Sequence, residues 1–550
     1  MPEMRLTGLP HVSAVTLLLL LACVTPAEDP PSESEILHVR VEQILDDPSF
    51  SISGAQIAAK QTISEIYARR GFTRAWTASA ARDDLLHAVY DSQADGLDPE
   101  DYLLSALLAA RRDAESVVAS LDAQIDYDLL QTEALIRLLY HVILGKVDPK
   151  SLEPTWNFTR NVHVGEPAVF VQGFIDSGEL YARIEHEKPQ HQMYRSLKSE
   201  LARHRALASK GGWAPIPAGP TLKPGAIDPR VLDLRARLAT TEALPGDVPL
   251  DALAYDDAVV AAVEAFQARH GIDADGEVGP ATLAALNAPV AEHIEAIRVN
   301  LERGRWLLQD LAPTFLIVNI AGFEAYYLRD GELVWSSRAV VGMPYRETPI
   351  FRSTMTYLVF NPTWTVPPSI FANDILPDQR RDRSTLARKR LDVIDHRGRP
   401  VPESSIDWAN ATKENFPYML RQQPGPENAL GRVKFMFPNP HTVYLHDTPS
   451  RNLFEKSKRA FSSGCIRIEK PLELAELLLE GQDGWDRASI DSAIEAGKTL
   501  SVPLARPVPV LVYYWTTWVD RNGALQHRPD IYGRDAKVAA GLDAGFRLRP

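Results

Sequence analysis

The sequence contains, in this order, Tyr444-Leu-His-Asp-Thr-Pro449 and Ser462-Ser-Gly-Cys-Ile-Arg467. The run from His441 to His446 alternates in the manner of a β-strand, and the Asp-Thr-Pro that follows is typical of the turn that ends a strand. If the Cys-Ile-Arg segment is also extended, its two-residue period places the thiol and the guanidinium on one face and Ile466 in the core. Both stretches therefore predict strands of a β-rich domain.

His446 and Cys465 are the pair of side chains whose types suit nucleophilic catalysis. A thiol attacks a carbonyl as the thiolate, so it needs a base that takes its proton and donors that stabilise the oxyanion. Gly464 would let a substrate carbonyl approach the backbone N–H groups beside the sulfur, and Arg467 could lower the thiol pKa or bind a substrate carboxylate. The alternative interpretation is structural, with Cys465 a small buried hydrophobe and His446 a hydrogen-bonded histidine at a strand end.

Taken together, the two motifs resemble the signature of the L,D-transpeptidase catalytic domain, in which a His-Asp/Gly-Thr segment precedes Ser-x-Gly-Cys-Ile/Val-Arg. The resemblance implies that Cys465 is the acyl-accepting nucleophile, that His446 is its base and that the reaction passes through a thioester. The family often has His or Arg before the glycine, where this chain has Ser463. Asn361-Pro-Thr-Trp364, followed by Pro367 and Pro368, resembles a second segment of the same family. We expect the remaining residues of the substrate site to be Tyr444, Ser462, Ser463, Gly464, Arg467 and Trp364.

Composition narrows the possible classes of function. A chain of 550 residues is too long for one hydrophobic core and predicts three or four domains. The formal net charge of −13 argues against a nucleic-acid partner, because no global basic field would attract phosphates. There is no Cys-x-x-Cys, no His-Glu-x-x-His and no clustered His/Cys spacing, so we expect neither a metal site nor a cofactor.

The N-terminus has the features of an export signal, which we predict over residues 1–27. Arg5 precedes an apolar run from Val12 to Val24, and the Thr-Pro-Ala that follows suits cleavage after Ala27. Alternatively, Leu20-Leu-Ala-Cys23 resembles a bacterial lipoprotein signal, in which a lipid on Cys23 would anchor the protein to a membrane. Either route predicts a periplasmic protein in which Cys465 is the sole free thiol, a feature that marks a reactive cysteine.

The exported chain is expected to be a multi-domain α+β protein. Residues 36–210 have helical periodicity and predict a helical scaffold domain, which resembles the N-terminal region of the large periplasmic L,D-transpeptidases. A Pro/Gly-rich linker at 211–228 separates this domain from three short helical patterns at 229–290. Within these patterns, the sequence from Ala265 to Asn287 resembles the three-helix peptidoglycan-binding domain.

The remaining chain predicts a connecting helix at 295–311 and the catalytic domain at 312–520. Short, closely spaced strands in this region indicate a sandwich or a barrel. Alternation is lost at about 369–429, and an insertion of that length predicts a lid subdomain over the active site. Residues 521–550 are expected to form a C-terminal tail.

The resemblance implies a peptidoglycan L,D-transpeptidase that releases the terminal D-amino acid of a stem tetrapeptide and forms 3–3 cross-links. The expected partners are the stem peptides and glycan of peptidoglycan, together with other wall synthases, and the chain is expected to be a monomer. Two alternatives stay open. One is an L,D-carboxypeptidase or protein-anchoring enzyme with the same Cys465 and His446, and the other is a noncatalytic peptidoglycan-binding scaffold.

Overall fold

The structure, a computed structural model, describes residues 31–47, 49–158, 165–242, 244, 251–309 and 311–549. The predicted signal at 1–27 and the candidate lipid anchor Cys23 lie outside these residues. In the part of the chain that the structure describes, no helix is both long enough and apolar enough to cross a bilayer.

The N-terminal part is helical and has a hydrophobic core of its own. Its longest helix is buried along nearly its whole length, as expected for the central helix of a bundle. Ser120 caps the start of that helix by accepting a hydrogen bond from the Ala123 N–H, and Gly145 with positive φ ends it. The elements are α1 (Glu33–Asp46), β1 (Ser51–Ile52), β2 (Ala55–Gln56), α2 (Lys60–Arg69), α3 (Ser79–Asp91), α4 (Leu104–Ala114), α5 (Leu121–Leu144), α6 (Pro149–Leu152), α7 (Pro167–Ile175), α8 (Leu180–Glu187) and α9 (Gln192–Ser209).

Three short helices and the long helix after them form the middle of the chain: α10 (Arg230–Leu238), α11 (Asp257–Arg269), α12 (Pro280–Asn287) and α13 (Val290–Leu307). The first three enclose a separate small core that includes Leu234, Val263 and Phe266. Asp256 caps α11 by accepting a hydrogen bond from the Val259 N–H, and Pro280 occupies the first turn of α12. The predicted three-helix unit is therefore present.

Helix α13 joins the cores on either side of it. Ile297 and Leu301 belong to the core of the C-terminal β domain, whereas Val299 belongs to the core of the N-terminal helices. Two charged side chains buried in the same helix, Glu302 and Arg305, form an ion pair with 2.8 Å between Oε2 and Nε. Burial on both sides makes α13 part of two domains rather than a free connector.

The β domain is a sheet that closes on itself. Within the described residues nine strands join in the order β12-β5-β13-β11-β10-β6-β14-β3-β4, and β4 also pairs with β5. This ring agrees with the predicted barrel-like α+β fold. In chain order the domain contains β3 (Phe315–Asn319), β4 (Glu324–Arg329), β5 (Glu332–Gly342), β6 (Phe351–Phe360), β7 (Trp364–Thr365), α14 (Pro368–Ile370), α15 (Leu376–Arg381), α16 (Thr385–Arg388), β8 (Leu391–Ile394), β9 (Met419–Gln422), β10 (Val433–Met436), β11 (Leu445–His446), β12 (Ala460–Ser462), β13 (Ile466–Ile468), α17 (Pro471–Leu479), α18 (Arg487–Glu495) and β14 (Leu500–Tyr513).

The insertion in this domain has a fold of its own. Strands β7, β9 and β8 form a separate three-stranded sheet, and short helices pack on it around Phe371, Leu386 and Trp408. The turn Phe371–Ile375 is a π-helix between α14 and α15. The loss of alternation in this part of the sequence reflects many short elements rather than an irregular loop.

The C-terminal segment is not the tail that the sequence led us to expect. It contains β16 (Leu525–His527), which pairs with β15 (Thr517–Val519), and a packed helix α19 (Asp535–Asp543). Val538 and Leu542 of α19 are buried in the N-terminal helical core. The expectation was wrong because this short apolar stripe is completed only by residues distant in sequence.

Candidate active site

Three polar side chains lie in one row across three adjacent strands of the ring, β10, β11 and β13. Lys434 on β10 is the register partner of His446 on β11, and His446 is the register partner of Arg467 on β13. Leu445 and Ile466 alternate with them and are fully buried. Because successive side chains of a strand point to opposite faces, the ring core holds the two apolar residues and the other face holds the polar row. The predicted burial of Ile466 is thereby confirmed.

His446 is held as a neutral ring with a defined tautomer. Its Nδ1 lies 2.5 Å from the Asp447 carbonyl oxygen, which can only accept, so Nδ1 carries the proton. The side chain is 4% exposed, and burial, together with the nearby Arg467 charge, lowers its pKa to about 3. At neutral pH the lone pair is therefore on Nε2, which is the form that a general base requires.

Asp447 supports the histidine through its backbone and is itself fixed by charge. Its carboxylate accepts from the Arg432 N–H at 2.9 Å and pairs with the Arg432 and Arg451 guanidinium groups at 3.2 and 3.1 Å. Gly431 has a φ of +61°, and a Cβ there would lie 2.5 Å from Asp447 Cβ. Our interpretation of Asp447 from the sequence was only that of a turn residue, although the His-Asp pair was part of the motif.

Cys465 is half-buried and is the sole cysteine among the described residues. Its Sγ lies 3.8 Å from the Thr442 carbonyl oxygen, and within the described part of the chain no hydrogen bond joins it to His446. The reason lies in the register, because the Ile466 N–H donates to the Tyr444 carbonyl and so aligns Cys465 with the Tyr444–Leu445 end of β11. In this conformation the described atoms of Cys465 and His446 therefore form no direct hydrogen bond.

Burial raises the pKa of the Cys465 thiol above its ordinary value. Hydrogen bonding to Tyr444 and the charges of Lys434 and Arg467 act in the opposite direction without outweighing burial. The resting pair is thus a protonated thiol beside a neutral imidazole. The expected lowering of the thiol pKa by Arg467 is present as a contribution, but it does not determine the net direction.

Ser462 and Gly464 shape the backbone around the cysteine. The Ser462 hydroxyl donates to the Cys465 carbonyl at 2.5 Å and accepts from the Gly464 N–H at 3.1 Å. This N–H is thus occupied in the present conformation and is not a free oxyanion donor, contrary to our expectation. Glycine is required here by conformation, since its φ is +113°, whereas a Cβ would meet nothing closer than the Glu347 carbonyl at 3.6 Å.

Ser463 connects the cysteine loop to the insertion through Arg346. The Arg346 guanidinium donates to Ser463 Oγ at 2.9 Å and makes two hydrogen bonds, of 2.6 and 2.8 Å, with the carboxylate of Asp374 in the insertion. On the loop that carries Arg346, the buried Thr348 hydroxyl donates to the Gly464 carbonyl at 2.9 Å. These contacts fix the cysteine loop from one side.

Two cations lie near the thiol without a carboxylate partner in the described part of the chain. Lys434 Nζ lies 3.7 Å from the centroid of the Tyr444 ring, and burial lowers the pKa of this lysine. Arg467 has a buried Nε with no hydrogen-bond partner among the described atoms. Lys434 was not predicted from the sequence, although it is the polar residue between buried Val433 and Phe435. The site is therefore electropositive and can accept anionic groups.

Tyr444 and Trp364 have different surroundings. The Tyr444 and His446 ring centroids are 5.7 Å apart, so Tyr444 lies beside the histidine. Trp364 belongs to the sheet of the insertion, where it pairs with Gln422 and packs against the insertion core. Trp364 therefore belongs to the insertion, and among the described residues no hydrogen bond or ring contact joins it to Lys434, His446 or Arg467.

Known families match three parts of the sequence. Residues 313–490 match a family described as "L,D-transpeptidase catalytic domain", residues 61–201 match "Scaffold domain", and residues 228–286 match "Putative peptidoglycan binding domain". A Haemophilus influenzae protein described as "Putative L,D-transpeptidase" is 39% identical over 223 residues, which are 40% of this chain and 45% of that protein. The match thus spans less than half the length of this relative.

Two solved structures have low overall similarity to this chain. The Ldtfm–avibactam carbamoyl enzyme is 14% identical, with 41% of this chain and 64% of that chain covered and a TM-score of 0.18. An L,D-transpeptidase from Xylanimonas cellulosilytica is 16% identical, with 54% and 99% covered and a TM-score of 0.17. Scores at this level carry no structural conclusion, so the comparison depends on the sequence matches.

Proposed function

We propose that this chain, which contains an L,D-transpeptidase catalytic domain and a peptidoglycan-binding domain, is a peptidoglycan L,D-transpeptidase with Cys465 as its nucleophile. The observation that carries the proposal is the His446 ring, neutral and held through Nδ1 by the Asp447 carbonyl, on the strand next to the one that Cys465 precedes. A buried histidine with this tautomer and an unprotonated Nε2 is suited to take a proton from a thiol.

In the proposed reaction, His446 Nε2 takes the thiol proton as Cys465 Sγ attacks the carbonyl that precedes the terminal D-amino acid of a stem tetrapeptide. The S–C bond forms, the C–N bond breaks, and the proton passes from His446 to the leaving amine. An amine of a neighbouring stem then attacks the thioester, gives a proton to His446 and releases the thiolate, which is reprotonated. The energy of the broken amide is conserved in the thioester, so the reaction requires no nucleotide.

Lys434 and Arg467 suit this substrate class. Stem peptides carry carboxylates, and Arg467 has an unpartnered Nε beside the thiol. The two positive charges would also stabilise the thiolate as it forms, because an opposite charge favours the ionised state of a neighbouring group. We assign Arg467 to binding a stem carboxylate and Lys434 to thiolate stabilisation.

We also propose that this protein is exported and acts in the periplasm as a monomer. Its partner would be peptidoglycan, and wall synthases would supply the donor stems. Passing the acyl group to water or to a protein amine would use the same residues and would give an L,D-carboxypeptidase or an anchoring enzyme. The stem products distinguish these outcomes.

The test is a muropeptide digest of sacculi that have been incubated with the protein. Mass spectrometry should detect 3–3 linked dimers and released D-amino acid with the unchanged protein, and neither product with Cys465→Ala or His446→Ala. His441→Ala is the matched control, because His441 lies five residues from His446, packs against Phe351 and should be dispensable. Tripeptide products without dimers would indicate the carboxypeptidase, and products that persist in Cys465→Ala would exclude the proposed nucleophile.

A further inference from the structure

Three histidines from distant parts of the sequence meet where the end of α11, helix α13 and strand β16 come together. His270 follows the last residue of α11, His293 lies on α13 and His527 is the last residue of β16. One ring nitrogen from each lies within 4.8 Å of the other two. The separation of these residues in the sequence explains why no metal-binding spacing was visible there.

Oxygen partners on Nδ1 orient the His270 and His527 rings. The His270 Nδ1–H donates to the Phe266 carbonyl at 2.8 Å, so its lone pair is on Nε2. That Nε2 is buried and has no hydrogen-bond partner among the described atoms. His527 is oriented similarly, with Nδ1 at 3.2 Å from the Thr517 hydroxyl oxygen and Nε2 at 3.0 Å from His293 Nδ1. Oxygen partners behind the imidazoles are the usual arrangement for histidines that bind a metal.

The space beside the three rings is a cavity of about 270 Å³. His204 also lines it and stacks on His293, but it does not belong to the group of histidines whose ligand atoms lie within 4.8 Å of one another. A trio of imidazoles that opens on a cavity leaves room for a water or an anion as a fourth ligand.

The charges around the cavity are partly compensated. Arg203 pairs with Glu200 at 2.7 Å, and Arg269 pairs with Glu242. Arg237 is buried against the Trp213 ring, with 3.9 Å from Cζ to the centroid, and its Nη2 has no partner among the described atoms. A guanidinium in this position would repel a bare dication but would stabilise an anion bound as its fourth ligand.

We propose that His270, His293 and His527 form a binding site for one divalent transition metal of the zinc type, with a water or an anion as the fourth ligand. Imidazole nitrogens suit Zn²⁺, Co²⁺, Ni²⁺ and Cu²⁺. Metal–nitrogen bonds of about 2.0–2.1 Å place tetrahedral ligand atoms roughly 3.3 Å apart, so the three nitrogens, which lie within 4.8 Å of one another, must approach by at most about 1.5 Å on binding. Burial lowers the pKa of His270 and His293 to about 3, so these rings are already neutral at physiological pH.

The bound metal would join three parts of the chain. His270 belongs to the peptidoglycan-binding unit, His293 to the helix that enters the β domain, and His527 to the C-terminal strand. The metal would fix the position of the peptidoglycan-binding unit on the β domain. We assign it no role in the acyl-transfer chemistry, which uses Cys465 directly before β13 and His446 on β11.

The test uses the full chain as the Cys465→Ala variant without a histidine tag, so that neither the thiol nor a tag binds metal. After chelator treatment and dialysis, one sample is titrated with Co²⁺ and a second with Zn²⁺. The Zn²⁺ bound in the second sample is measured by mass spectrometry. We expect the visible absorption bands of tetrahedral Co²⁺, one Zn²⁺ per chain, and a melting temperature that rises by about 3 °C or more with Zn²⁺.

Added on this background, His270→Gln and His527→Gln should each weaken Zn²⁺ binding at least 100-fold, whereas His396→Gln, at an exposed histidine in the insertion, should leave it unchanged. The proposal would be overturned by the absence of tetrahedral Co²⁺ bands in the Cys465→Ala chain, a result that does not depend on whether the histidine variants fold. It would also be overturned by Zn²⁺ binding that is unaffected in both histidine variants. Stabilisation by phosphate alone, lost in Arg237→Met, together with no bound Zn²⁺, would identify the cavity as an anion site and overturn the metal assignment.

Discussion

Replacing Ser462 with alanine should loosen the cysteine loop, because the Ser462 hydroxyl satisfies two backbone groups. It accepts from the Gly464 N–H and donates to the Cys465 carbonyl, and the side chain is only 3% exposed. A buried backbone group that loses its partner costs about 1–3 kcal/mol. Cys465 is only half-buried, so its carbonyl can recover a hydrogen bond from water, and we expect a total loss of about 2 kcal/mol.

The measurement is native-state hydrogen exchange followed by mass spectrometry on a peptide that spans residues 460–468. A loss of about 2 kcal/mol in local opening free energy corresponds to exchange that is about 30-fold faster. Ser463→Ala is the matched control, because Ser463 is exposed and its only recorded partner, Arg346, retains Asp374. We expect that control to change exchange by about twofold or less.

Equal exchange rates in Ser462→Ala and Ser463→Ala would refute this reasoning. The variant also reports on the chemistry, because it releases the Gly464 N–H that the serine occupies. If acylation by a stem tetrapeptide becomes faster in Ser462→Ala while the loop is looser, the Gly464 N–H acts as an oxyanion donor once it is freed. If acylation slows in proportion to the loosening, the serine contributes by ordering the loop.

Three further predictions concern the thiol and the insertion. Because burial raises the pKa of Cys465, the rate of its alkylation by iodoacetamide should still increase about tenfold between pH 7 and pH 8, and a plateau in that range would contradict the assignment of a protonated resting thiol. Lys434→Met removes a positive charge beside the thiol and so raises the thiol pKa further; alkylation at pH 8 should therefore slow by about 3–10-fold, while Lys470→Met should have no effect. Asp374→Asn breaks an ion pair to Arg346 whose carboxylate is 41% exposed, so it should cost only about 0.5–1 kcal/mol and accelerate hydrogen exchange by roughly 2–5-fold in residues 366–420. An equal acceleration in β3 and β14 would show that the pair stabilises the whole domain instead of attaching the insertion.

The features of this molecule that depend on local sequence pattern could be predicted from the sequence. The two-residue alternation around Ile466 predicted that this side chain enters the core, and the helical periodicity of residues 36–210 predicted the N-terminal helices. The multi-domain α+β fold and the presence of the transpeptidase and peptidoglycan-binding domains are confirmed. Local periodicity and a contiguous motif suffice for each of these features.

Features that arise from contacts between distant parts of the chain could not be predicted from the sequence. Lys434 joins the polar row only because β10 pairs with β11 in a particular register, and no contiguous motif contains it. The occupied Gly464 N–H depends on a rotamer of Ser462, and the ionisation of Cys465 depends on how burial compares with neighbouring charges. The C-terminal helix had too few residues for its apolar stripe to indicate a partner, since Val538 and Leu542 contact helices far earlier in the chain.

Helix α19 also determines how this protein can be divided for experiments. A recombinant fragment that stops at Val519 would expose the surface that Val538 and Leu542 cover, and it would strip the buried Arg303 of its 2.6 Å partner Asp535. Isolating a buried guanidinium in this way costs about 3–5 kcal/mol, which is a large part of the stability of an ordinary domain. Soluble catalytic fragments should therefore start upstream of α13 and extend through Asp543.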